Sequence, residues 1–235
     1  MRTVAIDCFV QNFPGFRPGY AVVAVDVMRA TTMAVTSVLL GRRCFPAATI
    51  DSGIQIAQGL SNPILAGELG GNMPYGFDID NSPAALVKRS DTARPMVMVS
   101  TSGTQLICES AQVASVVYTA CLRNFSAQAA LLVAQHPRVS IVGAGSRGEF
   151  REEDQLCCAW IAERLLDSGY TPEGDTARLV ERWKGAAVTD MLMSNSVRFL
   201  RSTGRERDLD FILEHVDDSN AVFRFEDGET VMCDG

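Results

Sequence analysis

The 235-residue sequence lacks paired cysteines, long apolar runs and a surplus of positive charge, and each absence excludes a class of protein. Its seven cysteines include no C-x-x-C pair, which argues against a disulfide framework or a structural zinc site and favours reduced thiols. No apolar run approaches the ~20 residues of a membrane helix. Asp7 interrupts the apolar N-terminus, so a signal peptide is not expected either. We therefore predict a soluble cytoplasmic protein.

Positive charge and histidine are both scarce. The chain has 21 Lys and Arg residues against 28 Asp and Glu residues, a formal net charge of −7. Nucleic-acid backbones and anionic membranes attract proteins with surplus positive charge, so neither is an expected partner. The two histidines, His136 and His215, adjoin no plausible nucleophile, which argues against a Ser-His-Asp triad.

What the sequence does contain is a repeated alternation of short apolar, β-branched runs with segments of helical periodicity. The predicted strands cover residues 20–27, 62–66, 95–99, 113–118 and 138–142. The predicted helices cover residues 33–40, a segment from 83, 105–114, 127–135, 156–166 and a broken stretch over 176–214. This alternation predicts a three-layer α/β/α fold with a mostly parallel, mixed central sheet. We expect a single α/β domain over residues 1–235, with a C-terminal hairpin around Asp227-Gly228.

The turn after the first predicted strand is rich in polar residues, at the strand end where parallel sheets bind ligands. Asp26 ends the strand, Arg29 follows, and Thr31 stands at a helix start. A carboxylate for Mg²⁺, a guanidinium for an anionic group and the free N–H groups of a helix N-terminus suit an anionic substrate. The alternative is a structural Asp26–Arg29 salt bridge with Thr31 as the helix cap.

A long loop over residues 67–82 carries further polar groups. It contains the carboxylate of Glu68 and ends with Asn81 and Ser82 immediately before a helix. Loops of this length without secondary structure are usually functional or disordered, and we predict an ordered loop over the site. Both Asn81 and Ser82 also suit plain helix capping, which is the alternative for them.

The turn STSGT joins another predicted strand to a helix. Its residues Ser102, Gly103 and Thr104 combine hydroxyl groups with a glycine. Such a turn predicts a nest of N–H groups that binds an anion.

A glycine-rich turn over residues 143–148 follows the last predicted strand of the alternation and formally matches the dinucleotide fingerprint G-x-G-x-x-G. We discount that interpretation because Glu152, Glu153 and Asp154 crowd the helix N-terminus where a pyrophosphate would bind. In addition, the segment after Leu166 is not predicted to be a strand. The acidic cluster fits a metal site better, although acids also stabilise the first turn of a helix.

Four segments stand in this order along the chain: VAVDVMRATT, GEL…GFDIDNSP, STSGT and GAGSRGEFREEDQLCCAW. Together they resemble the 2-phosphosulfolactate phosphatase family from about residue 21 to 166, and the resemblance continues weakly over residues 194–223. The resemblance implies a three-layer α/β fold that hydrolyses a phosphate monoester with Mg²⁺. The products would be 3-sulfolactate and phosphate, in the pathway to coenzyme M, and the substrate a small anionic phospho-acid.

The resemblance and the strand-end turns together assign roles to residues. The expected Mg²⁺ ligands are Asp26, Glu68, Glu153 and Asp154. The expected catalytic residues are Asp26, Arg29 and Asp154. The expected substrate-binding residues are Thr31, Asn81, Ser82, Ser102, Gly103, Thr104 and Arg147. Arg29 and Arg147 would clamp acidic groups of the substrate through their planar guanidinium groups, and Asp26 would be the nucleophile if a phospho-enzyme forms.

Five positions depart from the family pattern: Met28, Leu69, Asp80, Ser102 and Gly143 stand where Leu, Arg, Gly, Asn and Cys are usual. The loss of a cation beside Glu68 and the gain of an anion at Asp80 leave the exact substrate open. Two alternatives remain, namely a dinucleotide-dependent oxidoreductase built on the 143–148 turn and a non-catalytic anion-binding protein on the same fold. Helices rich in glycine and alanine and an apolar C-terminal hairpin favour a homodimer.

Overall fold

The computed structural model describes residues 1–9, 17–145 and 148–233. Its strands are β1 (Thr3–Phe9), β2 (Ala21–Val25), β3 (Cys44–Ala47), β4 (Ile64–Gly67), β5 (Met96–Val99), β6 (Val117–Ala120), β7 (Arg138–Ala144), β8 (Thr171–Glu173), β9 (Phe223–Glu226) and β10 (Glu229–Met232). Its helices are α1 (Ala30–Leu39), α2 (Ile50–Gln58), α3 (Pro83–Leu86), α4 (Gly103–Ser110), α5 (Phe125–Gln135), α6 (Glu152–Asp167), α7 (Thr176–Trp183), α8 (Asn195–Ser202) and α9 (Glu206–Glu214), with a 3₁₀ helix over Val188–Met193.

These strands form one sheet in the order β4-β5-β3-β10-β9-β6-β2-β7-β1-β8. The strands on each side of the hairpin β9–β10 run parallel within their own group. The hairpin joins the two groups, because β10 pairs antiparallel with β3 and β9 pairs antiparallel with β6. The predicted mostly parallel, mixed sheet and the predicted C-terminal hairpin are both confirmed.

Helices cover both faces of the sheet, as the strand β2 shows. Every residue of β2 is buried. Val23 and Val25 pack in one core cluster with residues of α5 and α6, whereas Val22 and Ala24 pack in another with Leu106 of α4. A strand buried on both faces has a continuous apolar sequence rather than an alternating one. The three-layer α/β/α arrangement is therefore confirmed.

The sequence pattern does not predict β1, β3 or α2. The apolar N-terminal segment, compared above with a signal peptide, forms β1 and pairs with β7. Strand β3 has four residues and contains Pro46, a residue that argues against a strand. Helix α2 contains Gly53, which lowers helix propensity. A Cβ at Gly53 would lie 3.1 Å from Cγ2 of Val99, so the glycine lets α2 pack closely on the sheet.

The prediction that no strand follows Leu166 is wrong. Residues Thr171–Glu173 form β8, a short edge strand that pairs with β1. A three-residue edge strand shows no apolar pattern because little of it is buried. In a dinucleotide-binding fold this strand would lie beside the one that precedes the glycine turn. Here β1 lies between β7 and β8, so the correction does not favour dinucleotide binding.

The C-terminal hairpin lies inside the sheet, between β3 and β6. Its strands are thus paired within the chain on both sides, and the hairpin does not offer an edge to a second copy. The oligomeric state stays a prediction. No helix of the described residues is long and apolar enough to cross a bilayer.

Candidate active site

Asp26 follows β2 at its carboxyl end, in the bend that leads into α1. Its N–H donates to Oγ1 of Thr31 (2.9 Å), and the Thr31 hydroxyl donates to the Asp26 carbonyl oxygen (2.8 Å). The N–H of Ala30 donates to Oδ1 of Asp26 (3.2 Å). Gly103, the first residue of α4, approaches so closely that a Cβ there would collide with Oδ2. The carboxylate is held between two helix N-termini, whose positive ends favour an anion.

Glu153 and Asp154 lie in the first turn of α6, beside Asp26. The N–H of Val27 donates to Oδ1 of Asp154 (2.8 Å), which ties α6 to the end of β2. Oε2 of Glu153 is buried and has no hydrogen-bond partner among the described residues. A buried carboxylate oxygen without a partner is costly in free energy. It therefore marks a position that a ligand, a water or an ion would complete.

These three buried carboxyl groups have raised pKa values. Burial, together with the negative charges of Glu68 and Glu153, raises the pKa of Asp26 to about 7. Burial and the charge of Asp26 raise the pKa of Asp154 well above its usual range, and burial also raises the pKa of Glu153. Like charges in a buried site resist ionisation unless a cation joins them. The cluster is therefore suited to bind a cation.

Arg29 is buried near this cluster, and its ion pairs lead away from it. The guanidinium pairs with Asp208 on α9 and, at 3.4 Å, with Asp80. Oδ1 of Asp208 also accepts a hydrogen bond from the Ser82 hydroxyl (2.6 Å). The alternative of a structural Asp26–Arg29 salt bridge is therefore wrong, because the partners of this cation come from α9 and the long loop.

The long loop before α3 is tied down at several points. Oε1 of Glu68 accepts the N–H of Thr101 (2.8 Å), and Oε2 accepts the Thr101 hydroxyl (2.8 Å) and the N–H of Gly71 (2.7 Å). Arg205 donates to Oδ2 of Asp80 (2.8 Å) and to the Gly71 carbonyl (3.0 Å). The loop is an ordered wall of the site, and Glu68 braces it.

These elements enclose a cavity of about 330 Å³, a volume suited to a small ligand. Seven predicted residues line it, namely Asp26, Arg29, Glu68, Asn81, Ser102, Glu153 and Asp154. Asn81 resembles Glu153 in one respect, because its Oδ1 is buried without a hydrogen-bond partner in the described part of the chain. The cavity thus has two buried polar atoms that a bound molecule could satisfy.

Four other predicted substrate-binding residues are not among those that line the cavity. Thr31 uses its hydroxyl in the bend at the end of β2, Ser82 caps α3, and Thr104 bonds to the backbone of the turn before α4. Gly103 contributes its close approach to the Asp26 carboxylate rather than a side chain. Among these hydroxyl groups only that of Ser82 caps a helix, as the alternative interpretation predicts. Thr31 lies inside α1, whose N-cap is Arg29, so the alternative of Thr31 as the helix cap is wrong. Arg147 lies outside the described residues.

Several lining residues are not predicted by the strand-end argument: Glu149, Arg151, Asn195, Ser196 and Phe199. The first two follow the glycine turn and were visible in the sequence only as charges near a helix start. The other three belong to α8, which contributes one wall of the cavity. A 3₁₀ helix rather than a strand leads directly into α8. The only sequence signal for these three residues was therefore the weak resemblance of residues 194–223 to the family.

No three acidic, histidine or cysteine side chains of the described residues form a group that could hold one metal ion. The four expected Mg²⁺ ligands line the same cavity without surrounding one point. A metal ion here would therefore take at most two protein carboxylates and would complete its coordination with water and ligand oxygens.

The glycine-rich turn has a packing role. Gly143 lies inside β7, where a Cβ would collide with the ring of Phe150. A Cβ at Gly145 would collide with the carbonyl oxygen of Phe9 at the end of β1. The glycines allow β1, β7 and the segment before α6 to approach closely. Because buried carboxylates occupy the α6 N-terminus, the dinucleotide interpretation is not supported.

Comparison with protein families decides the class to which this site belongs. The model of the 2-phosphosulpholactate phosphatase family matches residues 11–228, which is most of the chain. The chain belongs to this family. The resemblance seen in the four sequence segments is confirmed, and the chain is an enzyme of the phosphoric monoester hydrolase class. Neither an oxidoreductase nor a non-catalytic protein fits this membership.

Individual relatives agree with the family assignment. A protein of Clostridium beijerinckii named probable 2-phosphosulfolactate phosphatase is 28% identical over 82% of this chain and 83% of its own length. Proteins of the same name from Pseudothermotoga lettingae and Caldanaerobacter subterraneus are 33% and 26% identical, over 72% and 88% of this chain and 71% and 88% of their own lengths.

Proposed function

We propose that the protein hydrolyses 2-phospho-3-sulfolactate to 3-sulfolactate and phosphate with Mg²⁺ as its cofactor. The supporting observation is the convergence of Asp26, Glu153, Asp154 and Arg29 on one cavity in a chain of this family. The substrate comes from the names of the relatives. The reaction would belong to the pathway to coenzyme M that the resemblance implies.

The carboxylates of the cavity fit Mg²⁺. This ion prefers oxygen ligands, keeps several waters and is usually bound by one or two carboxylates together with substrate phosphate. Asp26 and Asp154 would hold it, since both are buried beside the end of β2 and the charge of one raises the pKa of the other. Glu68 would stay a brace of the loop, because three hydrogen bonds already occupy its oxygens.

The surrounding residues would bind the phosphoryl group and the attacking water. A bound Mg²⁺ supplies positive charge that neutralises the phosphoryl oxygens. The N-terminus of α4, beside Ser102, would donate N–H groups to the phosphoryl group. Arg29, held by Asp208, would face the phosphoryl group as a fixed cation. Oε2 of Glu153 would accept a proton from the attacking water, since it is buried without a partner in the described chain.

The charge of the substrate explains why the cavity needs local positive charge although the whole protein is negative. Phosphate, sulfonate and carboxylate together carry about −4 at neutral pH. The protein carries a formal net charge of −7, so it repels such a ligand at long range. Binding would depend on the metal ion and the arginines that line the cavity. The net charge of the chain therefore says little about the pocket.

The test is a phosphate-release assay on the purified protein with 2-phospho-3-sulfolactate, 2-phospholactate and 3-phosphoglycerate, each with Mg²⁺ and with EDTA. We expect release that requires Mg²⁺, with the highest kcat/KM for the sulfolactate ester. Absence of metal-dependent release from every phospho-acid would overturn the proposal. Release from 3-phosphoglycerate alone would overturn the substrate assignment.

The raised pKa of Asp26 predicts how stability depends on pH and on metal. Its folded-state pKa of about 7 lies above the unfolded value of 3.8, so folding takes up a proton between these values. The free energy of unfolding of the metal-free protein therefore falls as pH rises through this window. We expect this contribution to lower Tm by on the order of 5 °C between pH 5 and pH 8, and Mg²⁺ to raise Tm more at pH 8.

Thermal melting of the parent and of Asp26→Asn, with EDTA and with Mg²⁺, measures this contribution. The variant separates Asp26 from His136, whose pKa is lowered by burial and whose effect on stability has the opposite sign. The fall of Tm with pH should be smaller in the variant than in the parent. Equal slopes for the two proteins would contradict the prediction.

A further inference from the structure

A second group of polar side chains lines the cavity beside the buried carboxylates. Arg151, the residue before α6, forms an ion pair with Glu149 (2.6 Å). The side-chain amide of Asn195 on α8 donates to the same oxygen of Glu149 (3.2 Å). All three residues line the cavity. A carboxylate of the protein thus lies between a guanidinium and an amide N–H within the site.

The two partners of this ion pair differ in exposure. The Arg151 side chain is 15% exposed, whereas that of Glu149 is 58% exposed. An ion pair with a well-hydrated carboxylate contributes little free energy. A ligand can therefore displace Glu149 at small cost, while the less exposed Arg151 side chain stays in place.

A ligand cannot replace the carboxylate partner of Arg29, the other cation of the cavity, in this way. Among the described residues that line the cavity, the cations are Arg29 and Arg151. The side chains of Arg29 and its partner Asp208 are each 3% exposed, and breaking a buried ion pair is costly. Arg151 is thus the lining cation whose partner a ligand can replace.

We propose that Arg151 and Asn195 form an acid-group subsite, which binds a carboxylate or sulfonate of the substrate, and that Glu149 occupies it until the substrate displaces it. This inference rests on the proposed function and names the residues that would select esters with a second acidic group. A planar guanidinium matches an acidic oxyanion with two parallel hydrogen bonds, and the amide N–H adds a third.

The experiment compares three esters that share a phosphate and differ in acidic groups: isopropyl phosphate has none, 2-phospholactate has a carboxylate, and 2-phospho-3-sulfolactate has both. We expect Arg151→Gln to raise KM about 10- to 100-fold more for the acid-bearing esters than for isopropyl phosphate. We expect Glu149→Gln to lower their KM about two- to fivefold, since it removes the competing carboxylate. An effect on both acid esters assigns the carboxylate to the subsite, and an effect on the sulfolactate ester alone assigns the sulfonate.

The control is Arg178→Gln, which removes an exposed arginine that pairs with Asp175 outside this cavity and should leave all three KM values unchanged. Equal changes of KM for the three esters in Arg151→Gln would overturn the subsite.

If the parent releases no phosphate, the proposed function fails, and calorimetric titration of the same esters then decides the subsite. The subsite is supported if Arg151→Gln binds the two acid-bearing esters more weakly than the parent does and binds isopropyl phosphate equally well. It is overturned if the variant and the parent bind the acid-bearing esters with equal affinity, or if the parent binds none of them.

Discussion

Asp26→Asn should lower kcat/KM for phosphate release by on the order of 10³-fold, the range seen when a catalytic acid–base group or a preorganised charge is removed. Asparagine has nearly the same shape and keeps an oxygen that can accept the N–H of Ala30, which bonds to Oδ1 in the parent (3.2 Å). It lacks the negative charge that would hold Mg²⁺ with Asp154. Activity should therefore fall while the bend after β2 remains intact.

Stability should change in the opposite direction to activity. The buried charge of Asp26 is unfavourable without a cation, since burial raises its pKa to about 7. At pH 8 and without metal, Asp26→Asn should melt at the parent temperature or above it, and Mg²⁺ should stabilise it less than the parent. Asp167→Asn, at the exposed end of α6, is the matched control and should change neither quantity. Activity of Asp26→Asn within tenfold of the parent would show that Asp26 is only structural.

The sequence predicted the acidic centre of the site because that centre depends on two neighbouring strands. Strands β2 and β7 are long, apolar and adjacent, and their register brings Val25 opposite Gly143. The residues that follow them, Asp26 and the first turn of α6 with Asp154, therefore meet at one edge of the sheet. Glu68 follows β4, which is adjacent to neither β2 nor β7, so strand adjacency does not explain its place in the cavity. Its role as a brace could not be predicted either, because its hydrogen bonds to the facing turn are tertiary contacts.

The opposite wall of the site could not be predicted in this way. Arg151 and Asn195 both bond to Glu149, and Asn195 lies on α8, which packs on α9 and the 3₁₀ helix rather than on the sheet. Asp208 reaches Arg29 across 179 residues of sequence. Such contacts depend on how helices outside the sheet pack on one another. Similarly, alternation predicted the C-terminal hairpin but not its position, since a hairpin pattern does not specify the strands beside it.

Arg29→Met should lower the free energy of unfolding by about 3–5 kcal/mol, because it leaves Asp208 charged and buried without its cation. Asp208 holds three elements together, since it pairs with Arg29 before α1 and accepts the Ser82 hydroxyl (2.6 Å) and the Ala84 N–H (3.2 Å) at the start of α3. Methionine fills the apolar part of the arginine volume, so the loss measures mainly the uncompensated charge. Urea unfolding with EDTA present is the measurement.

A double-mutant cycle tests whether this charge is the cause. In Arg29→Met/Asp208→Asn neither charge remains, so the loss of stability should be smaller than the sum of the two single losses by about 0.5–3 kcal/mol. Asp210→Asn, an exposed aspartate on the same helix α9, should change stability by no more than about 0.5 kcal/mol. Additive single losses would mean that Arg29 stabilises the fold by packing alone. A large coupling would mean that the ion pair with Asp208 fixes Arg29 in place, as its role as the fixed cation of the cavity requires.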